Sequence, residues 1–379
     1  MVGNQKNYCY PVWIKKKGKV SVLIGREGGR LYGKKNSEEN KVLYQWVGLS
    51  GKVSDMALRG FKFRNLTFRE FFQELEKLVP LAEQFKADIK TGNPYFNQLM
   101  SRLVEYQKDY FAIAYLLRPK SVGYVWPGKS DYPACYHTLL TPDKFQDNLI
   151  LKMPEGFSML DYYVNFTAKM REGGKPDGGL DLSLISCQEL KGELWLARLE
   201  RVASVFQFRK LLNANREIFT EEQLRQAESL LKILEEKSAR QQAVDFTFPD
   251  ADGKMVSLSD FKGKIVLVDI WATWCMPCRS ELPHLKKLEE EMEGTDLVVI
   301  GISVDVQKDY EKWKKMVDAG EVKGVQLFAD GGKQLRKDYG VSGIPRFIVF
   351  DREGKVAEAA APRPSDADLK ELLNELLKK

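Results

Sequence analysis

Cys275 and Cys278 stand two residues apart in Trp271-Ala272-Thr273-Trp274-Cys275-Met276-Pro277-Cys278-Arg279. Thiols at this spacing can close a disulfide across one helical turn or supply half of a zinc site. Zinc needs two further ligands, and the other candidates, Cys9, Cys135, Cys187, His137 and His284, are scattered. The residues ahead of the pair, 265–270, are apolar except for Asp269 and read as a strand buried on both faces. A helix is expected from Cys275 to about residue 293. A strand leading in and a helix leading out put Cys275 at a helix N-terminus, where unpaired N–H groups favour negative charge and raise the thiolate fraction. Cys278 follows one turn later and deeper. In that geometry Cys275 can attack a disulfide of another molecule while Cys278 resolves the mixed disulfide.

The elements that must position this pair alternate between strand and helix from residue 243 onward. Residues 244–248 and 255–258 read as strands around an Asp252-Gly253 turn. Further strands are expected at 297–303 and 325–328, with helices at 310–317 and 332–339. Residues 347–350 and 355–360 pair through a turn at 351–354. Ser365, with Asp368 three residues on, is expected to cap a last helix. Strand and helix in alternation predict an α/β sheet covered on both sides.

The first 240 residues read differently. Alternation at Val20, Val22 and Ile24, the aromatic and β-branched run 42–47, and glycines at 25, 28, 29, 33, 48 and 51 suggest a β-rich segment over 1–63. From Thr67 the apolar period becomes helical, with Pro80 as an interruption and Pro94 as a start. Helices are expected over 142–152 and 158–170, a loop over 173–179, and one long helix over 186–213. Thr220 with Gln223 forms a capping box for another helix ending near 239. The expected domains are therefore 1–63, a mostly helical 64–240, and 241–379.

Hydrophobic residues make up 44% and charged residues 30% of 379 residues, an ordinary globular composition. The net charge of +6 is uneven. Residues 241–379 carry 21 Lys+Arg against 25 Asp+Glu, and residues 1–240 carry 38 against 28, so the two parts have opposite sign. The densest basic cluster is Lys15-Lys16-Lys17-Gly18-Lys19. Without zinc-ligand spacing or a nucleic-acid recognition signature, a solvated basic face is expected and nucleic acid is not. Cys9, Cys135 and Cys187 read as small hydrophobes, with a Cys135–Cys187 bridge as the sharper alternative.

The segment 244–379 resembles the TlpA-like thioredoxin family, which overlaps the AhpC/TSA superfamily. The matching residues are Asp252-Gly253-Lys254, 257–264, the stretch 271–278 and Gly343-Ile344-Pro345. An added strand and helix at about 297–317 and the layout of a longer N-terminal part resemble multidomain Bacteroidetes-type members. The resemblance implies a thioredoxin-like C-terminal domain: a central mixed sheet flanked by helices, preceded by the β-rich segment and the helical domain. It implies a thiol-disulfide oxidoreductase whose only redox group is the Cys275–Cys278 disulfide, with no cofactor and no metal.

Single positions follow from the resemblance. Ile344-Pro345 matches the cis-proline loop facing the thiols, whose free backbone groups would pair with a substrate strand; an ordinary trans loop is the alternative. Arg346 stands where the family often has Thr and brings a cation to the groove. Trp274, Met276 and Pro277 complete the expected substrate surface, and Trp271 is either part of it or core. Asp269, six residues before Cys275, matches the buried acid of thioredoxins and could move the Cys278 proton; a structural Asp bonded to backbone is the alternative. Glu281 resembles the acidic position next to the CxxC, or else is a solvated residue balancing Arg279 and Lys286.

Strong oxidants of the superfamily tend to carry His between the cysteines. Met276-Pro277 therefore leans the expectation towards a reductase or isomerase acting on protein thiols and disulfides, reloaded by an upstream membrane or soluble thiol reductant. A thiol peroxidase needs Thr three residues before its attacking Cys, and Ala272 stands there. The rival from another class is a redox-sensing scaffold led by residues 1–240. That span is read as a recognition module: most of its aromatics, among Tyr95, Phe96, Tyr106, Tyr110, Phe111 and Tyr115, are expected to be core, and the surplus together with the excess positive charge suggests a surface for an acidic partner or for a homodimer. The expected location is the periplasm or cell envelope, with a signal or lipid anchor outside this chain; the cytoplasm is the alternative.

Overall fold

The computed structural model describes residues 2–378 except 5–7, 15–19, 26–27, 33–35, 60–64, 119–122, 140, 142–143, 171–179, 181 and 240–242. The basic cluster at 15–19, the expected loop at 173–179, the start of the helix expected at 142 and the boundary expected at 240/241 fall outside the described residues. Two compact units divide the chain, Met1–Leu194 and Trp195–Lys379. The second unit thus begins well before the sheet, whose expected start is 241.

The first unit opens with two short antiparallel hairpins, β1 (Val2–Asn4) with β2 (Tyr8–Tyr10) and β3 (Val22–Gly25) with β4 (Gly28–Leu31). The run 42–47 is not a strand: it lies inside α1 (Glu38–Leu58). Ser37 caps this helix by accepting from the Asn40 N–H, and Leu43, Trp46, Ser50 and Val53 are buried at helical spacing. Gly48 and Gly51 are therefore helical residues and not turns. In α2 (Phe68–Asp88) Thr67 and Glu70 form a reciprocal capping box, and Pro80 sits inside the helix without ending it. The helix α3 (Pro94–Leu117) starts at Pro94 as expected. Among the described residues of 142–152 no α-helix forms; only 148–152 coil, as a 3-10 turn. The helix α4 (Gly156–Met170) follows.

Phe96, Tyr106, Tyr110, Phe111 and Tyr115 are buried in the core of this unit, where Tyr115 stacks on Phe71 at 3.9 Å. Of the six aromatics singled out, most of them expected in the core, only Tyr95 is exposed. Cys135 and Cys187 are free thiols, each packed partly buried against the core as small hydrophobes, and the alternative of a bridge between them is not met.

The expected long helix over 186–213 is two helices, α5 (Gln188–Leu199) and α6 (Val205–Ala214). Ser204 ends the gap by capping α6 through the Gln207 N–H. The Thr220–Gln223 box caps α7 (Glu221–Ala239). A hairpin of β5 (Thr247–Pro249) and β6 (Met255–Ser257) precedes the sheet. The five sheet strands are β7 (Ile265–Trp271), β8 (Leu297–Ser303), β9 (Val325–Phe328), β10 (Arg346–Phe350) and β11 (Val356–Ala361), in the order β11-β10-β7-β8-β9. The strands β7, β8 and β9 are parallel, while β10 and β11 run antiparallel, so the sheet is mixed.

Side chains alternate across β7. Ile265 and Leu267 pack with Leu285 and Leu288 of α8 (Met276–Glu291) and with Leu369, Leu372 and Leu373 of α11 (Ala367–Leu377). Val266, Val268 and Ile270 face the other side, towards Trp313 of α9 (Tyr310–Asp318) and Leu335 of α10 (Lys333–Asp338). Both faces are thus apolar, as the unbroken run in β7 requires.

One buried carboxylate joins α6 to the sheet. Glu358 of β11 accepts from Ser204 Oγ at 3.1 Å, from Val205 N at 3.3 Å and from Phe206 N at 3.0 Å. It is buried, and it satisfies helix N-terminal donors that have no intrahelical partner. This is the physical reason that residues before 241 belong to the second unit. Glu358→Ala should therefore cost α6 about 2–3 kcal/mol of protection. Hydrogen exchange of the 205–214 amides checks this: it should speed up strongly in the variant, and unchanged exchange would show the cap to be idle.

Candidate active site

Strand β7 ends at Trp271, and residues 272–274 turn the chain into α8 at the carboxyl edge of the parallel strands, where α/β sheets place their sites. Cys275 is the N-cap of α8, and its Sγ lies 3.2 Å from the Cys278 N–H that points at it. Cys275 and Cys278 are joined in a disulfide, with Cys275 4% and Cys278 1% exposed. Trp274 and Met276, 66% and 71% exposed, stand on either side of Cys275, while Trp271 is core. Pro277 occupies the first turn of α8, where its missing N–H leaves no helical bond unmade.

The turn is held by Asp305, which no local motif marks. Asp305, fully buried just after β8, accepts from Thr273 N at 2.8 Å, Thr273 Oγ1 at 2.9 Å and Ser303 Oγ at 2.7 Å. The signal was present as an acid directly after a buried strand, but its partner lies 32 residues earlier. The Ile344–Pro345 bond is cis, and Pro345 leads into β10, where Arg346 pairs with Ile270 of β7.

Asp269 lies on the α8-facing side of β7, between Phe347 of β10 and Gly301 of β8 in register. It is 2% exposed, and its Oδ1 has no hydrogen-bond partner. A structural Asp bonded to backbone would not leave that oxygen bare. Burial, with a smaller contribution from the Glu281 charge, pushes its carboxyl up to about 8.

Glu281 is not the solvated residue of the alternative reading. It is buried one turn beyond Cys278 and accepts from Ser365 N and Ser365 Oγ, both at 3.0 Å, with Arg363 at 3.8 Å. Ser365 is accordingly not the cap of α11; Asp366 is, through the Asp368 N–H. His284 is exposed. Among the described residues no group of three or more His, Cys, Asp or Glu is arranged to hold a metal ion, and no helix is long and apolar enough to cross a membrane.

The AhpC/TSA family model matches residues 239–359. The thiol-disulfide oxidoreductase ResA of Bacillus thuringiensis subsp. konkukian is 32% identical over 135 residues, which span 36% of this chain and 76% of that protein. The thioredoxin-like protein YneN of Bacillus subtilis is 33% identical over 118 residues, 31% of this chain and 68% of the relative. The thioredoxin domain of a Bacteroides vulgatus thiol-disulfide oxidoreductase is 33% identical across 36% of this chain and 95% of that one, with a TM-score of 0.33.

The raised Asp269 carboxyl has a consequence for stability. An unfolded Asp loses its proton near pH 4, whereas folded Asp269 keeps it to about pH 8. Between these values the native state binds the extra proton, so stability must fall as pH rises through that window. Asp269→Asn removes the slope. The variant should gain on the order of 5 kcal/mol relative to the parent between pH 4 and pH 9. Exchange of the most protected β7 amides at the two pH values measures this; equal differences at both would show that Asp269 ionises normally.

Proposed function

This chain belongs to the thiol-disulfide oxidoreductases of the TlpA-like, AhpC/TSA-related thioredoxin family, and we propose that it works as a reductase or isomerase of protein disulfides. Its thioredoxin-like domain exchanges disulfides with thiol substrates. The observation that carries the assignment of roles is the placement of Cys275 as the N-cap of α8, with Cys278 one turn deeper. Helix N–H groups favour the Cys275 thiolate, so in the reduced protein this sulfur is the nucleophile. It attacks a substrate disulfide, a mixed disulfide forms, and one substrate sulfur leaves as thiolate. Cys278 gives its proton to Asp269 and attacks Cys275 Sγ. The second substrate sulfur leaves, the Cys275–Cys278 disulfide closes, and two electrons have passed to the substrate. A separate thiol reductant must then reopen the pair.

The exposed Trp274 and Met276, with Pro277, Ile344, Pro345 and Arg346, form the surface proposed to receive an extended substrate segment. The exposure of Trp274 and Met276 on either side of Cys275 supports this. Glu281 is proposed to act on the thiols through its charge on Asp269. The absence of His between the cysteines favours the reducing direction. An extracytoplasmic workplace follows from the family resemblance, and the gene around this chain tests it. The unit Met1–Leu194 is proposed to recruit the substrate, raising its local concentration for an otherwise broad exchange domain.

Reduction of insulin disulfides is expected of the protein, and Cys275→Ser should abolish it. Cys278→Ser should instead accumulate a mixed disulfide on Cys275. Faster alkylation of Cys278 than of Cys275 in the reduced protein would reverse the roles. Trapping by Cys278→Ser in the full chain and in residues 195–379 should give equal yields on a small disulfide but a higher yield on the natural substrate for the full chain. Equal yields on both would remove recruitment from the first unit.

A further inference from the structure

We propose that a small cavity behind Asp269 is a proton port. It binds one water molecule between Asp269 and Gln326 and passes the Asp269 proton to Glu289 and out to solvent. This deepens the proposed function and rests on Asp269 being the base for Cys278.

The argument starts from strand register. Asp269, Gly301 and Gln326 are direct partners across β7, β8 and β9. Partners in register point to the same face, here the face covered by α8. Adjacent strands lie roughly 4.8 Å apart, so two long side chains on β7 and β9 could meet only over the residue between them. That residue is Gly301, and a Cβ there would collide with the Gln326 carboxamide. Gln326 thus lies over the glycine, towards Asp269.

Both side chains are more than nine-tenths buried, and each leaves one oxygen bare. Asp269 Oδ1 and Gln326 Oε1 have no hydrogen-bond partner, while Gln326 Nε2 donates to the Lys323 carbonyl. Two unpartnered acceptors facing one space are the pattern a water molecule satisfies, since it donates to both. The cavity that both residues line measures about 10 Å³, room for about one water.

The same cavity is also lined by Glu289, half-buried on α8, and by the exposed Lys286, Glu321 and Lys323, so solvent-facing side chains share its wall. From α8 the other charged neighbour of Asp269 is Glu281. Burial pushes Glu289 up to about 7, beside the value of about 8 for Asp269, so a proton can pass between them near neutrality without a steep uphill step. The proton count closes: ionised Asp269 takes one from Cys278 S–H and, now a donor itself, hands one to the water; the water hydrogen that Asp269 had accepted is thereby freed and passes to the Glu289 carboxylate, which loses it to solvent. Gln326 is a positioning residue and takes no proton.

Single-turnover reaction of the reduced full-length protein with 5,5′-dithiobis(2-nitrobenzoate) separates the two steps. The first chromophore release reports attack by Cys275 and the second reports resolution by Cys278. Gln326→Leu and Glu289→Gln are each expected to slow the second release relative to the first, on the order of tenfold. Both should move the pH midpoint of the second release. Unchanged second release and pH midpoint in both variants, with slowing in Asp269→Asn, would overturn the port and leave the base in place. No slowing in Asp269→Asn would overturn the base and the port together. Glu289→Gln, at a half-buried helix position, keeps the test decisive if Gln326→Leu fails to fold.

Discussion

A carboxyl buried in the middle of a sheet destabilises the fold in proportion to its ionisation, and Asp269 is such a group. Its Oδ1 has no hydrogen-bond partner, and among the described residues burial and the Glu281 charge, not a cation, set its ionisation. The rest of the second unit can be understood as the frame that keeps this carboxyl in place. Apolar side chains on both faces of β7 anchor the strand on either side of it. The residue opposite on β8 is glycine, and a polar but neutral Gln326 fills the space beyond. Two residues after Asp269 the strand gives way to the turn that carries Cys275, so the acid and the thiols are fixed by the same seven-residue element.

The thiols are set by a second constraint, the direction of the backbone at the start of α8. Asp305 ties down Thr273, Cys275 caps the helix, and Cys278 points inward with Glu281 and Leu285 on one buried stripe. Glu281 is held in turn by Ser365 ahead of α11. A charge that could have balanced surface lysines is instead locked near Asp269. Trp274 and Met276 are left exposed on either side of Cys275.

Local signals carried the redox motif, the order of strands and helices after residue 243, and the burial of Asp269, because each depends on neighbours within one element. Tertiary partners were not legible. The run 42–47 has strand-forming residues, yet Ser37 and the spacing of Leu43, Trp46 and Val53 make it helix. The break at 200–204 has no proline or glycine to announce it; its reason is Glu358, more than 150 residues away. Asp305 and Ser365 belong to the site only through folding, and Gln326 becomes visible only once Gly301 is seen to lie between it and Asp269. Nearly all the aromatics singled out in the first unit are buried, as helices this amphipathic require.

Burial raises the Asp269 carboxyl to about 8, close enough to neutrality that its ionised fraction is proposed to take the Cys278 proton and its protonated form to give it back. The most direct measurement is a titration of its side-chain carboxyl by carbon-13 NMR in the oxidised full-length protein, assigned with Asp269→Asn. The account predicts a single ionisation near pH 8 that the variant lacks. A resonance already at its ionised position at pH 5 would contradict it.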